Sequence, residues 1–322
     1  MPRFSLGLGP LVSGLCFILA AVVACSSSDS GDAAQTAADS GAGTVKSGTG
    51  EIDASLEAGD PDASTWEWTP PPPQPTRSQA CGAAMADAVG VDSTTPSGRT
   101  FHVWGPQGYD PNKAYPVVVM FHGWYTDGRS FESWFQMEQY VNNEAFVVYP
   151  DAANQLWDLE GTSDLVFFDD LVKTLGETYC IDPSRVFGFG FSYGGKFAHH
   201  LGCQRAGYVK AISVGDGSWG LDPLQCGRLP VLVTHRTHDN DELVAWGKTA
   251  ADNWVTINGC TADTTISDPT MNCTLHPNCR QPGGTTTFCE DTWFDATWPN
   301  DWNHTVREPY RTFTWQWFAA LP

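Results

Sequence analysis

Two kinds of apolar pattern alternate along the chain from about residue 100. Short, nearly continuous apolar runs such as 115–121 are typical of strands buried on both faces, whereas longer segments such as 163–179 favour helices. The predicted strands are 100–103, 115–121, 146–149, 186–190, 210–214 and 230–234, and the predicted helices are 131–142, 163–179, 241–256 and 310–320. Strands that alternate with helices indicate an α/β fold with a mostly parallel sheet covered by helices on both faces.

The predicted strand 186–190 runs directly into the motif Gly-Phe-Ser-Tyr-Gly at residues 190–194, and a short helical segment follows. A G-x-S-x-G motif between a strand and a helix is a nucleophile elbow, which exposes a serine hydroxyl above the sheet edge. Glycine is expected at positions 190 and 194 because a side chain there would collide with the neighbouring strand or helix. The motif alone is short, but this context predicts Ser192 as a nucleophile in an α/β-hydrolase fold.

The strand 115–121 leads into a His-Gly-Trp sequence at residues 122–124. Attack of a serine on an ester builds negative charge on the carbonyl oxygen, which two backbone N–H groups can stabilise. In this layout one donor is the residue after the nucleophile, Tyr193, and the other comes from the loop after the strand, where we predict Trp124. His122 is predicted to orient this loop or to fill the core, since the base follows the nucleophile and the acid in the chain.

An acid and a base are expected later in the chain. Asp239 lies in the loop after the strand 230–234 and is the predicted acid. Asp241 is the alternative acid, although it also suits the N-cap of the following helix. His304 lies in the loop before the last predicted helix and is the predicted base.

The first 24 residues predict an export signal. Arg3 precedes an apolar stretch from about residue 11 to residue 23, which is short for a membrane span and ends in small residues. The site before Cys25 is similar to the lipobox of bacterial lipoproteins, which implies a lipid on the Cys25 sulfur and a location at the cell surface or outer membrane. Ordinary secretory cleavage, with Cys25 incidental, is the alternative.

Residues 25–77 predict a disordered, acidic and Pro-rich tether, because they contain too few aliphatic residues to bury a core. Its end, 70–75, is expected to form a stiff polyproline II spacer that holds the folded unit away from its anchor. Trp66 and Trp68 could contact glycan or the domain. Residues 78–322 have a length suited to one catalytic domain.

Net charge and cysteine content limit which partners, metals and cross-links are expected. The net charge is −20, which argues against nucleic acid, and membrane contact is expected only through the N-terminal lipid. Eight cysteines follow Cys25, an even number that predicts disulfides of unassigned connectivity in an exported chain. Zinc held by Cys273, His276 and Cys279 is a weaker alternative, so no metal and no cofactor are expected. The segment 260–289, poor in aliphatic residues, predicts loops held by disulfides.

Three stretches together resemble a known family. The Cys-x-Asp-x-x-Arg-Val run at 180–186 with the elbow, the His-Arg-Thr-His-Asp loop at 235–239, and the pair His304-Thr305 are similar to the feruloyl esterase and polyhydroxybutyrate depolymerase group, carbohydrate esterase family 1. The resemblance runs from about residue 81 to the C terminus and implies a triad of Ser192, Asp239 and His304. Two motifs depart from the family: Arg236 stands in place of the glycine of His-Gly-Thr, and Val306 and Arg307 replace the last two residues of His-Thr-Trp-Pro.

The resemblance implies a serine carboxylester hydrolase, foremost a feruloyl esterase that releases hydroxycinnamic acids from plant cell-wall polysaccharide. The expected substrate is a polysaccharide-linked or small ester. Polyhydroxybutyrate depolymerase and acetylxylan esterase activities are the alternatives, and a glycan-binding surface lipoprotein is the non-enzymatic one. A flat phenolic acyl group needs an apolar slot beside the elbow, where we predict Tyr193, Trp124 and Trp157.

Overall fold

The computed structural model describes residues 68–83, 88–218, 226–261, 264–268, 271–280, 284–294 and 303–322. These residues belong to one unit, Asp62–Pro322. The predictions for the signal peptide, for Cys25, for Trp66 and for most of the tether lie outside the described residues. Within the described ranges, no helix has the length and apolar character that a membrane span requires.

The described strands form one ten-stranded sheet. They are β1 (Val89–Thr94), β2 (Thr100–Trp104), β3 (Tyr115–Phe121), β4 (Phe146–Pro150), β5 (Ile181–Phe191), β6 (Ala211–Gly215), β7 (Pro230–Arg236), β8 (Thr265–Asp268), β9 (Cys273–His276) and β10 (Thr285–Asp291). Their order is β1-β2-β4-β3-β5-β6-β7-β10-β9-β8. The strands from β4 to β10 in this order are parallel, and two antiparallel strands flank them at each edge.

Helices cover both faces of this sheet. They are α1 (Gly128–Phe135), α2 (Ser163–Thr178), α3 (Tyr193–Arg205), α4 (Val244–Asn258) and α5 (Glu308–Ala319), with 3-10 turns at Met137–Gln139 and Ala153–Gln155. Strand β3 divides its side chains between two cores: Val117 and Val119 join the core that contains α2, α3 and α4, whereas Val118 joins the core that contains α1 and α5. The predicted α/β-hydrolase fold, with a mostly parallel sheet and helices on both faces, is confirmed.

Two predicted helices have different bounds in the structure. Helix α1 ends at Phe135 rather than at residue 142, because Gln136 adopts the left-handed conformation with φ of 54° and a 3-10 turn follows. Helix α4 begins at Val244 rather than at residue 241. The preceding residues form a turn in which Asp239 Oδ1 accepts the backbone N–H groups of Asp241 and Glu242.

The prediction of loops for residues 260–289 was wrong. This segment supplies β8, β9 and most of β10, and β10 extends the parallel part of the sheet by pairing with β7. Its strands are short and Thr-rich, so they lack the apolar runs of the central strands.

Four disulfides use all eight cysteines that follow Cys25. They are Cys81–Cys180, Cys203–Cys226, Cys260–Cys279 and Cys273–Cys289. Because Cys273 and Cys279 are both in disulfides, the zinc alternative at His276 loses its thiolate ligands. Disulfides persist in oxidising compartments, so the four bonds are consistent with export.

The described end of the predicted tether lies against the domain surface. The Arg228 guanidinium lies 5.3 Å from the ring centroid of Trp68, and a side chain at Gly207 would collide with Pro71. Arg77 Nη1 donates a hydrogen bond to the carbonyl of Asn112 at 2.9 Å. Residues 68–77 therefore contact the domain. The prediction that 70–75 holds the domain away from its anchor stays a prediction, because Cys25 lies outside the described residues.

Candidate active site

Ser192 lies on the tight turn between β5 and α3. Its backbone is in an unusual region, with φ of 55° and ψ of −120°, and helix α3 begins at the next residue. A Cβ atom at Gly190 would overlap the carbonyl of Gly194, and one at Gly194 would overlap the carbonyl of Phe121. Both positions therefore require glycine, as the sequence motif predicts, and the turn holds Ser192 at the end of the central strand.

His304 and Asp239 form a direct hydrogen bond. His304 Nδ1 lies 2.6 Å from Asp239 Oδ2, and since a carboxylate can only accept, Nδ1 carries the proton and Nε2 is left as the acceptor. Asp239 is buried, and its other oxygen accepts the N–H groups of Asp241 and Glu242 at 2.8 and 2.9 Å. The carboxylate is thus fixed on one side by backbone and faces the imidazole on the other.

The local charges favour the protonated form of His304. Burial alone would lower the pKa of His304, but the hydrogen bond to Asp239 and the charge of that carboxylate outweigh burial and raise the pKa above its usual value. Such a shift stabilises the imidazolium that a serine hydrolase forms during attack. The contact with Asp239 therefore leaves Nε2 of His304 able to accept a proton and supports the charged form of the ring.

Asp239 lies in a buried cluster with Asp216 and His235, whose potential metal-ligand atoms all fall within 4.8 Å of one another. One polar atom of each flanking group has a partner within the protein: His235 Nε2 donates to the carbonyl of Glu242 at 2.7 Å, and Asp216 Oδ1 accepts the N–H of Arg236 at 2.8 Å.

Burial sets the protonation states of the other two members of this cluster. Burial lowers the pKa of His235, which favours the neutral ring. Burial, helped by the charge of Asp239, raises the pKa of Asp216 well above its ordinary value. Asp239 is therefore flanked by two groups that favour their neutral forms, and its charge acts mainly on His304.

Ser192 and His304 line the same cleft, which has a volume of about 740 Å³. The other residues that line the cleft include a set of aromatic residues, called the aromatic group, and a set of charged residues, called the charged group. The aromatic group is Trp124, Phe131, Trp134, Phe191 and Tyr193, and the charged group is Lys196, Asp241 and Glu242. The Phe191 ring centroid lies 4.7 Å from that of His304 and 4.8 Å from that of Trp134, so the aromatic group extends directly from the imidazole. Lys196 Nζ and Glu242 Oε1 form an ion pair at 2.7 Å.

The structure brings most of the predicted site residues together. Ser192, His304, Tyr193 and Trp124 line the cleft, and Asp239 lies behind His304. Asp241 also lines the cleft, but the imidazole of His304 is hydrogen-bonded to Asp239. Trp124 is 63% exposed, so its indole lies at the mouth of the cleft.

The predicted placement of Trp157 beside the substrate was wrong. Its side chain is 2% exposed, its ring stacks on Phe197 with centroids 4.9 Å apart, and its Nε1 donates to the carbonyl of His122 at 2.9 Å. Trp157 therefore fills the core beneath the His-Gly-Trp loop. Phe131 and Trp134 lie in the cleft instead; their spacing of three residues on one helix is a signal that could have identified them as neighbours.

His122 has the supporting position that the sequence predicts. It is buried, its Nδ1 lies 2.8 Å from the carbonyl of Gly123, and its Nε2 accepts the N–H of Ala152 at 3.1 Å. Burial lowers its pKa, in keeping with a neutral ring that donates through Nδ1. Through these two hydrogen bonds, His122 links the loop of Gly123 and Trp124 with the residues that follow β4.

Known proteins share this architecture. The chain is 31% identical over 198 residues to the probable feruloyl esterase C of Aspergillus clavatus, covering 58% of this chain and 70% of that protein. It is 30% identical over 203 residues to feruloyl esterase D of Neurospora crassa, covering 57% and 69% of the two chains. The solved acetyl xylan esterase from Aspergillus awamori has a TM-score of 0.51 at 15% identity and covers 72% of this chain and 98% of that one. No protein-family model matches the chain.

The fold and the relatives define an α/β-hydrolase of the carboxylic ester hydrolase class. Within this class the chain belongs to the feruloyl esterase family, and the family prediction from the sequence is confirmed. The enzymatic interpretation is thereby favoured over the glycan-binding alternative.

Proposed function

We propose that this protein is an exported serine feruloyl esterase that releases hydroxycinnamic acids from plant cell-wall polysaccharide through Ser192, His304 and Asp239. The observation that carries the proposal is the 2.6 Å hydrogen bond between His304 and Asp239 in a cleft that Ser192 also lines. The feruloyl esterase relatives support the aromatic acid. The strongly acidic chain gives no basic footprint for nucleic acid, so the partner is an ester substrate.

The proposed reaction has two steps. His304 Nε2 accepts the proton of the Ser192 hydroxyl as its oxygen attacks the ester carbonyl, and the tetrahedral intermediate then releases the alcohol, which takes the proton from His304. Water, deprotonated by His304, then attacks the acyl-serine; the acyl–oxygen bond to Ser192 breaks, the Ser192 oxygen takes the proton back from His304, and the acid is released. No cofactor or metal takes part in these steps.

The negative oxygen of each intermediate would be held by the backbone N–H groups of Tyr193 and Trp124. Tyr193 is the first residue of α3, and the first N–H groups of a helix have no partner within the helix. The positive end of the helix dipole also lies at this point. Both features favour negative charge beside Ser192.

The aromatic part of the cleft supports a phenolic acyl group. Phe131, Trp134 and Phe191 form a continuous cluster, with Trp134 5.7 Å from Phe131 and 4.8 Å from Phe191 between ring centroids. A flat cinnamoyl ring can stack in such a cluster, whereas an acetyl group would leave most of it unfilled. This favours feruloyl over acetylxylan esterase activity. Polyhydroxybutyrate is the remaining alternative, because its chain is also apolar.

Substrate preference provides the test. We expect the purified protein to have a higher kcat/KM on methyl ferulate than on methyl butanoate, and Trp134→Ala to lower kcat/KM on methyl ferulate by about tenfold, the loss expected from one aromatic contact. The rate on methyl butanoate should change by less than about threefold, since a short acyl chain stacks little on the indole. Steady-state kinetics on both esters measure the difference.

Trp246→Ala is the matched control for Trp134→Ala. Trp246 is 46% exposed and is not among the residues that line the cleft, so its removal should leave both rates near those of the parent. Equal losses on both esters in Trp134→Ala would mean that Trp134 supports the fold only. Cleavage of acetylated xylan or polyhydroxybutyrate film without cleavage of methyl ferulate would contradict the feruloyl proposal.

We also propose that a lipid on Cys25 anchors the protein and is its only membrane contact. The Cys25→Ser variant should move from the membrane fraction to the soluble fraction, because one substitution removes every acyl chain of the anchor. Fractionation and immunoblotting of the native host measure this shift. Cys16→Ser, within the signal stretch, is the control and should stay in the membrane fraction. Continued membrane association of Cys25→Ser would mean that the signal stretch stays attached or that another surface holds the protein.

A further inference from the structure

Two arginines that depart from the family pattern meet at one buried carboxylate. Arg307 donates to both oxygens of Asp291, with its Nε 2.6 Å from Oδ2. Arg236 Nε lies 4.0 Å from the same Oδ2. Asp291 is 1% exposed and Arg236 is 2% exposed. The arginines are far apart in the sequence, so their convergence at the end of β10 is a property of the fold.

Arg236 also reaches the loop that carries the proposed base. Its Nη2 donates to Asn303 Oδ1 and to the carbonyl of Trp293, both at 2.8 Å. The guanidinium groups of Arg236 and Arg307 lie 4.9 and 5.0 Å from the ring centroid of Trp293. Asn303 immediately precedes His304, and Arg307 follows it by three residues. The residues on both sides of His304 are therefore linked to the Arg236–Asp291–Arg307 cluster.

Arg236 and Asp291 are also joined to the loop that carries the proposed acid, Asp239. Arg236 is the last residue of β7, three residues before Asp239, and its backbone N–H donates to Asp216. The N–H of Thr237 donates to the carbonyl of Asp291 at 2.9 Å. The loop with Asp239 and the loop with His304 are thus both fixed relative to Asp291.

We infer that Arg236 and Arg307, joined through Asp291, are positioning residues that hold His304 in line with Asp239 and Ser192. This inference rests on the proposed role of His304 as the base. The family pattern that the sequence resembles has glycine and proline at these positions, so the ionic network is a feature of the two departures from that pattern. A buried ion pair contributes little to stability on its own, because desolvation offsets the attraction, whereas orientation of a catalytic group changes the rate strongly.

The charges of the network indicate which variant to test. Removal of Arg236 leaves Arg307 paired with Asp291, so Arg236→Gln does not leave a buried carboxylate without a cation. Asp291→Asn would leave two arginines without their shared partner and is expected to unfold more readily. Arg236→Gln is therefore the informative variant, and Arg236→Lys, which keeps the charge and a donor, is its conservative partner.

The experiment measures kcat, KM and the melting temperature of the whole protein on methyl ferulate. Arg236→Gln should lower kcat by roughly tenfold to a hundredfold, the range expected when a reacting group is displaced by up to about 1 Å, with KM within about twofold. Arg236→Lys should recover part of the loss. Asn303→Ala should lower kcat similarly, and the loss in the double variant should be smaller than the combined single losses, because Arg236 and Asn303 share the Nη2–Oδ1 hydrogen bond.

Arg205→Gln is the matched control. Arg205 pairs with Asp169 at 3.0 Å between α3 and α2, and neither residue lines the cleft, so this variant should keep the parental kcat. If Arg236→Gln does not fold, Arg307→Gln replaces it, since Arg307 is partly exposed and its loss leaves Arg236 beside Asp291.

A parental kcat in Arg236→Gln, or additive losses with Asn303→Ala, would overturn the inference. If Ser192→Ala is inactive in the same assay, that result leaves the proposed function intact. Retained activity in Ser192→Ala would instead overturn the proposed function and the inference with it.

Discussion

Replacing Ser192 with alanine is expected to lower kcat on methyl ferulate by roughly 10⁴- to 10⁶-fold, because triad members act as a unit and only binding and oxyanion contributions remain. The fold should persist. The serine makes no capping hydrogen bond at the start of α3, and alanine meets the same backbone strain at φ of 55°. The melting temperature should therefore stay close to that of the parent. Initial rates and thermal unfolding of the same preparation measure both effects.

Ser133→Ala is the control for this substitution. Ser133 lies on α1, and its hydroxyl donates to the carbonyl of Arg129 at 2.9 Å, away from the lining of the cleft. The control should retain parental activity. Activity of Ser192→Ala within tenfold of the parent would exclude Ser192 as the nucleophile, and a loss in both variants would show that the assay reports stability.

The central sheet could be predicted because its signal is local. Tyr115–Phe121 is a continuous apolar run, and the structure gives β3 the bounds that were predicted from it. Strands β8 to β10 lack such runs. Strand β10 pairs with β7, β9 pairs with β10 and is joined to it by the disulfide Cys273–Cys289, and β8 pairs with β9; these contacts are non-local. A sequence pattern reports which face of an element is apolar, and it says nothing about an edge strand that is held by cross-links.

Some residues of the candidate site could also be predicted from local sequence, whereas others depend on how distant elements pack. The turn around Ser192 follows from glycine positions that the backbone requires, and Asp239 and His304 follow from their order after known elements. The sequence analysis predicted Trp157, in the loop before the helix 163–179, beside the substrate and did not single out Trp134, within the helix 131–142. Their exposures, 2% and 37%, depend on how β3, α1 and α3 pack. The contact of Arg236 and Arg307 with Asp291 likewise has no local pattern.

Replacing Asp239 with asparagine is expected to lower kcat by roughly 10⁴-fold, far more than Asp241→Asn. Asp239 Oδ1 is committed to two backbone N–H groups and Oδ2 to His304. An asparagine that keeps its oxygen on the backbone must present its NH₂ to the imidazole. His304 would then accept at Nδ1 and carry its proton at Nε2, so it could not take the proton of Ser192.

The pH dependence of kcat/KM is a second measurement that distinguishes Asp239→Asn from Asp241→Asn. The hydrogen bond and charge of Asp239 raise the pKa of His304 against the opposing effect of burial, with a smaller contribution from Asp241. Since the base must be neutral, parental kcat/KM should fall as the pH drops below this raised pKa. In Asp239→Asn the acid limb of the remaining activity should lie at a lower pH than in the parent, because the pKa of His304 falls when the imidazolium loses the neighbouring carboxylate. Asp241→Asn should move the acid limb only slightly in the same direction. A larger rate loss and a larger shift in Asp241→Asn than in Asp239→Asn would assign the acid to Asp241.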